Sequence, residues 1–309
     1  MKHISIAKQE SCADGTKKLL LQTTDNHYFE MAVFLFQNRW GACISSQLGC
    51  VFNCCFCKSG EIDFYRNLTG KELLEQINIA RDQLPAGDQL DFINFMGIGE
   101  PLLNIDNIIS TMNQVKENHN PATFSLSTIG LKNKIQMFCN SCLESGHFVQ
   151  IQVSLHGATD AQRNEIFGFK LPANIADVLD QCEYCSRQFL DKGSRGKYRG
   201  KIKLKYFMIK EVNDDEKSLN NLVSLVKNRP FLILLAPINP VYRDFQPSNE
   251  TRINYFSRVL LQNNIDCVVE SKSAGLNIGA GCGQLAIKKL ASGGQGGSFR
   301  EKPLAGATY

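Results

Sequence analysis

Short runs of β-branched and aromatic residues alternate along the chain with longer stretches whose apolar positions recur at helical spacing, and this alternation constrains the fold more than any other feature. It is the pattern of βα units around a parallel sheet. Two strands over 17–23 and 28–36 come first, and further strands are predicted at 42–46, 91–96, 123–127, 149–155, 201–209 and 231–236. Helical spacing covers a segment opening at Thr69, where Glu72 completes a capping box, and stretches at 106–117, 131–145, 174–189, 215–227 and 250–262. Six strand–helix pairs result. Right-handed crossovers between successive parallel strands curl such a chain into an α/β fold, a partial (β/α)6 barrel, with functional residues gathered at the C-terminal ends of the strands. The chain then divides into an N-terminal β extension over 1–40, the barrel over 41–291 and a flexible, glycine-rich tail over 292–309.

Composition narrows the class. With 309 residues, 43% hydrophobic and 9% aromatic, the chain has the profile of a globular enzyme and not of a disordered, collagen-like or coiled-coil protein. No run approaches the roughly 18 to 20 apolar residues of a membrane span. Residues 1–10 carry no apolar signal-peptide core, so the expected location is cytoplasmic, with no membrane partner. A net charge of +4 is too small to mark a nucleic-acid binder, so any basic partner surface has to be local. Twelve cysteines in a reducing compartment point to metal ligation or catalysis ahead of disulfides.

Directly after the first barrel strand, Cys50, Cys54 and Cys57 are spaced C-x3-C-x2-C. Three thiolates on a tight loop can hold three irons of a 4Fe-4S cluster and leave the fourth iron open to a ligand. This spacing, with Phe56 before the last cysteine, resembles the motif of the radical S-adenosylmethionine (SAM) superfamily, in which SAM occupies the open iron. A zinc site or a chance cysteine-rich loop is the alternative, although zinc ordinarily takes four ligands in paired spacing. Cys55 is a bystander. Four later stations end predicted strands: Gly99 and Glu100 within 96–101, Ser127 within 126–130, Ser154, Leu155 and His156, and Asn239 within 237–240. Small polar groups on one rim suit the ribose, carboxylate and amine of SAM, and each station taken singly is also ordinary turn chemistry.

Together with 43–50 and 281–285, these motifs resemble the RlmN/Cfr family of radical SAM RNA adenine methyltransferases over roughly residues 14–290, in order and in spacing. The resemblance implies a radical SAM partial barrel in which Cys50, Cys54 and Cys57 hold a 4Fe-4S cluster. It implies further that Gly99, Glu100, Ser127, Ser154, Leu155, His156 and Asn239 contact S-adenosyl-L-methionine, with flavodoxin or ferredoxin as the kind of electron donor. By the family mechanism Cys282 takes a methyl group from one SAM, since carbon 2 or carbon 8 of adenine is too electrophilic for direct polar transfer. A second SAM gives the radical that activates this methyl for addition to an adenine of ribosomal or transfer RNA. Cys43 then releases the product and ends in a disulfide with Cys282, and proton removal falls to Cys43 or to Glu30, which matches a family glutamate. Read without the family, Cys282 and Cys43 are small core residues and Glu30 a solvated strand carboxylate.

Some features depart from that pattern. Family members carry an accessory helical domain ahead of the first motif, whereas thirteen residues precede Asp14 here, so a chain without that domain is expected. A small molecule or peptide as substrate, or an RNA-binding homologue without turnover, are the competing readings. The stretch 274–279 lacks the family's charges and reads as a mobile loop leading to Cys282. Between 192 and 205, Lys192, Arg195, Lys197, Arg199, Lys201, Lys203 and Lys205 surround Tyr198 with little acid in the sequence nearby, which suits either RNA phosphates or a solvated loop. Cys139 and Cys142, like Cys182 and Cys185, are paired on predicted helices, where they either pack as small apolar residues or meet at a second metal.

Overall fold

A computed structural model of the protein describes residues 2–117, 122–190, 200–239, 245–270, 274–281 and 283–286. Cys282, Pro240, the stretch holding Lys192, Arg195, Lys197, Tyr198 and Arg199, and the 292–309 tail lie outside the described residues. The chain forms two compact units, Met1–Leu126 with Ser273–Tyr309, and Ser127–Lys272.

The first unit starts with an antiparallel ladder of β1 (Ile4–Ser11), β2 (Lys17–Thr23), β3 (Tyr28–Phe36) and β4 (Arg39–Cys43). A two-stranded ribbon of β5 (Gln47–Leu48) and β6 (Arg66–Asn67) brackets the cysteine loop. Helix α1 (Gly70–Asp82) follows, opened by a complete capping box in which Thr69 accepts from the Glu72 amide and Glu72 accepts from the Thr69 amide. Strands β7 (Leu90–Phe95) and β8 (Thr123–Thr128) flank α2 (Ile105–Glu117), and β4, β7 and β8 run parallel. Leu19, Leu21, Phe29, Met31, Val33, Ala42 and Ile93 fill the core of this unit, and α1 buries Leu73 and Ile77.

In the second unit, which takes up the last residues of β8, the order is α3 (Lys134–Glu144), β9 (Val149–Ser154), α4 (Asp160–Phe167), α5 (Ile175–Leu190), β10 (Ile202–Met208), α6 (Glu216–Val226), β11 (Phe231–Pro237), α7 (Glu250–Gln262) and β12 (Asp266–Val269). Strands β9 to β12 are parallel neighbours in that order. The six expected strand–helix pairs are all present along the chain, in an α/β fold with parallel strands.

Besides the two-residue strands β5 and β6, three elements escaped the sequence pattern. Strand β1 exposes most of its polar residues at a sheet edge, so it lacks an apolar period. The four-residue β12 is too short to show one, and α4 is largely polar, defined by its ends: Thr159 accepts from the Gln162 amide, and Gly168 closes the helix at φ +82°. Strand β4 also ends at Cys43 instead of residue 46, because the Ser45 amide donates to the Gln76 side chain of α1 at 2.9 Å instead of to a neighbouring strand. Among the described residues no helix is long and apolar enough to cross a membrane.

Candidate active site

The cysteine loop is closed on itself: Cys50 N–H donates to Ile62 O at 3.2 Å, Cys57 N–H to Cys54 O at 3.0 Å, and Gly60 N–H to Cys57 O at 3.2 Å. Burial and, behind it, the neighbouring Cys57 push the Cys50 thiol up to about 12. Burial and the other two thiols raise Cys54 well above its ordinary value. Burial also raises Cys57, against the Ser59 hydroxyl and the Ser59 and Gly60 amides. Desolvation thus keeps these sulfurs protonated until a cation displaces the protons, which is the behaviour of ligands that charge only when they bind metal. Three buried thiols on one loop are the donor set that a 4Fe-4S cluster takes. Cys55 is buried beside them.

The segment that follows Cys282 is fastened to the same loop. Gly283 O accepts from Lys58 N–H at 2.8 Å, and Leu285 O accepts from the Ser59 hydroxyl at 2.7 Å. Gly283 takes φ +74°, and a Cβ there would stand 3.2 Å from Phe56 O, so the segment lies close against the cysteine loop. Upstream, 274–279 was expected as a mobile loop; residues Leu276–Ile278 instead form one 3-10 turn, and the Gly275 N–H donates to Asp14 at 2.9 Å.

Glu30 is buried, which overturns its reading as a solvated strand carboxylate. Its Oε1 lies 3.4 Å from the buried Lys18 ammonium, and its Oε2 accepts from Ala286 N–H at 2.9 Å. Desolvation raises its pKa, while Lys18 and the Ala286 amide pull the other way. Lys18 also contacts Glu10 at 3.2 Å, and the Lys8 hydrogen bond, with Lys18 behind it, holds Glu10 at about 2. Cys43 ends β4 opposite Ala32, two residues past Glu30 on β3, and the Asn94 amide reaches to 3.8 Å from its sulfur.

Gly99 adopts φ +109°, and a side chain there would press to 2.7 Å on Gln47. That turn delivers Glu100, buried, with its amide donating to Gln47 Oε1 at 2.9 Å and its carboxylate capping Leu102 N–H at 3.0 Å.

In the second unit, Ser127 stands at the end of β8, Ser154 at the end of β9, and buried Leu155 and His156 follow directly. The amides of Leu155 and His156 both donate to Lys205 O, at 2.9 and 3.1 Å. His156 takes φ +55°, accepts from Phe207 N–H at Nδ1 and stacks on Phe207 with ring centroids 4.4 Å apart. Burial, then the Lys205 and Arg163 charges, push its pKa well below the ordinary imidazole value, so it is neutral. Asn239 is buried two residues past β11.

Sequence reasoning missed the residues that hold these stations. Arg163 of α4 is fully buried and donates to Leu155 O at 3.1 Å, Ile129 O at 2.8 Å and Ser154 O at 3.3 Å. Asn213 donates to His156 O at 2.7 Å. Ser45 donates to Glu30 O at 2.6 Å and accepts from Ile98 N–H at 2.8 Å. An arginine inside a weak helical pattern, and Ser45 and Gln47 in a run after a strand, are the only traces that the sequence offered.

Two other expectations are corrected or resolved. The described part of the basic stretch is not acid-poor: Lys201 pairs with Asp266 and Lys205 with Glu270, both supplied by β12 and its end, and Lys205 is buried. Burial also lowers the Lys203 pKa. Cys139 and Cys142 of α3 and Cys182 and Cys185 of α5 are fully buried, and the Cys185 thiol donates to Ile135 O at 3.6 Å, so they pack as core. Among the described residues no three Cys, His, Asp or Glu side chains converge on a single metal ion, the cluster-loop cysteines included.

The α/β fold of parallel βα units, with a three-cysteine loop in its first unit, is that of radical SAM methyltransferases. The chain matches the crystal structure of a radical SAM methyltransferase from Sphaerobacter thermophilus with a TM-score of 0.81 and 27% identity, over 92% of this chain and 82% of that one. A probable dual-specificity RNA methyltransferase RlmN of Finegoldia magna is 31% identical over 300 residues, 95% of this chain and 81% of the relative. Its counterpart in Thermosipho melanesiensis is 32% identical over 287 residues, 91% and 79% of the two chains. The chain belongs to the RlmN family of RNA methyltransferases. No protein-family model matches it.

Proposed function

We propose that this enzyme transfers a methyl group, carried on Cys282, to carbon 2 or carbon 8 of an adenine in ribosomal or transfer RNA. The observation that carries the reading is the double attachment of the residues that follow Cys282, to the cysteine loop through Gly283 and Leu285 and to Glu30 through Ala286. Such attachment holds the residues that follow Cys282 against the loop whose Cys50, Cys54 and Cys57 would hold a 4Fe-4S cluster. With SAM bound, that cluster supplies the one-electron cleavage that starts radical chemistry, fed by a donor such as flavodoxin or ferredoxin.

The chain's own residues do the rest. Gly99 and Glu100, and Ser127, Ser154, Leu155, His156 and Asn239, are assigned to SAM. The bend at Gly99, which packs directly on Gln47, sets the direction of Glu100, and a neutral His156 offers hydrogen-bonding atoms without repelling the sulfonium. Cys282 accepts a methyl as thiolate. Cys43, with the Asn94 amide beside its sulfur, attacks Cys282 to free the product. Glu30, whose carboxylate burial raises above its ordinary pKa, is the group assigned to take the proton.

Comparing adenine methylation in ribosomal and transfer RNA from cells with and without the protein tests this reading by nucleoside mass spectrometry. A methyladenosine that vanishes without the protein and returns with it is expected. Identical RNA in both cells would refute the reading.

A further inference from the structure

The RNA reading leaves one feature of the first unit unused, an exposed aromatic stack at the end of the cysteine loop. His27, in the turn between β2 and β3, and Tyr65, just ahead of β6, lie with ring centroids 3.8 Å apart at 32°. The stack leaves Tyr65 58% exposed, and the adjoining Phe64 is 41% exposed. Solvating two neighbouring aromatic rings is costly, and contiguous exposed aromatic surface is a mark of binding sites.

This pair is also held rigidly. Arg66 forks onto Asp25, with Nε and Nη2 each 3.0 Å from a carboxylate oxygen, and a second fork reaches both oxygens of Glu72 at 2.9 and 2.8 Å. The turn that carries His27 is thereby tied to the ribbon that follows Tyr65. Tyr65 N–H donates to Leu48 O at 2.9 Å, and the His27 N–H and carbonyl both bond Thr23, at 3.0 and 2.9 Å. One side of the pair continues from the cysteine loop, eight residues past Cys57, and the other enters the strand that carries Glu30. An aromatic plane pre-ordered in this way loses little freedom when a flat ligand lands on it.

We propose that His27 and Tyr65 form a stacking platform for an unpaired nucleobase of the RNA substrate, beside the adenine that is methylated. The proposal rests on the RNA reading and adds a subsite to it. RNA is read mostly through splayed, unpaired bases stacked on aromatic side chains, and a stacked base needs a π-face and no charge. The charges around the platform fit this division, since Arg66 is already committed to Asp25 and Glu72 and has no fork left for phosphate.

The test measures RNA affinity and methylation kinetics of the full chain, reconstituted without oxygen, with total transfer RNA and a ribosomal RNA fragment as probes. Tyr65→Ala is expected to raise KM and weaken binding about five- to 150-fold, the range of one lost base stack. Tyr65→Phe should keep wild-type affinity, because the stack uses the ring and not the hydroxyl. The slope of log affinity against log salt should not change, since no phosphate contact is lost. Iron content and thermal midpoint of the Ala variant serve as controls for folding. Unchanged affinity in both Tyr65→Ala and His27→Ala, or a Tyr65→Ala loss that shows up as a reduced salt slope, would overturn the platform alone. A wild-type enzyme that neither binds nor methylates either RNA would overturn the parent reading, and this one with it.

Discussion

The carboxylate of Glu30 accepts the backbone N–H of Ala286 at 2.9 Å, joining the third strand to a segment 256 residues further along the chain. Its other oxygen faces Lys18, which Glu10 also contacts. A glutamate so placed serves in two ways. It tethers the segment that follows Cys282, and its buried carboxylate is the proton acceptor of the proposed mechanism.

Desolvation raises the Glu30 pKa, and this makes its effect on stability testable. In the unfolded chain a glutamate titrates near 4.3. Between that value and the raised folded value the native state binds more protons than the unfolded state, so the Glu30 contribution to stability falls as pH rises through the window and is level above it. Glu30→Gln lacks this term. The stability of the wild type relative to Glu30→Gln, from urea midpoints across pH 3 to 8, is therefore expected to decline with rising pH and then flatten. A difference that grows with pH would mean that Lys18 and the Ala286 amide outweigh desolvation.

Metal content separates the two sets of cysteines. Replacing Cys50, Cys54 and Cys57 together by Ala is expected to abolish iron and sulfide binding, because the donor set on the loop is gone. Replacing Cys139, Cys142, Cys182 and Cys185 together should leave iron unchanged and cost stability instead, on the order of 1 kcal/mol per buried sulfur lost. Elemental analysis of anaerobically purified protein reads both. Residual metal in the first variant would revive a second site.

The parallel strands and their helices, β12 and α4 excepted, were legible because they carry an apolar core period or a capping signal, as at Thr69 and Glu72. The cysteine loop was legible because its ligand spacing is local in sequence. Lys18 and Arg163 were not, since a buried cation makes sense only beside partners that the sequence places far away: Glu30 for Lys18, and the carbonyls of Ile129, Ser154 and Leu155 for Arg163. The same holds for the Asp266 and Glu270 partners of Lys201 and Lys205, which lie 65 residues from the basic stretch that looked free of acid.

Arg163 gives a stability prediction. Its guanidinium is buried at 0% exposure and satisfies three carbonyls at the ends of two strands. Arg163→Met removes the charge but strands those acceptors, and a loss of about 3–5 kcal/mol is expected. Arg163→Lys restores charge without the planar fork and should recover only part of it. If SAM contacts Leu155 and His156, Arg163→Lys should also weaken SAM binding in calorimetry while iron content stays at the wild-type level. Wild-type stability in Arg163→Met would show that water replaces the guanidinium.

Cys282 and Cys43 act in series under the proposed mechanism, so their variants are expected to differ in kind. Cys282→Ala has no sulfur to accept a methyl group and should show neither S-methylcysteine nor adduct. Cys43→Ala should still be methylated on Cys282, because that step is polar and comes first, but it lacks the thiol that displaces the product sulfur. RNA is then expected to remain covalently bound to Cys282 in the Cys43→Ala protein, visible as a mass shift that nuclease trims and as a crosslinked Cys282 peptide. Double replacement should resemble Cys282→Ala, since effects of groups acting in sequence do not add. An active Cys282→Ala enzyme would refute the methyl-carrier role. A Cys43→Ala enzyme with neither adduct nor activity would show that Cys43, opposite Ala32 at the end of β4, serves the strand register and not product release.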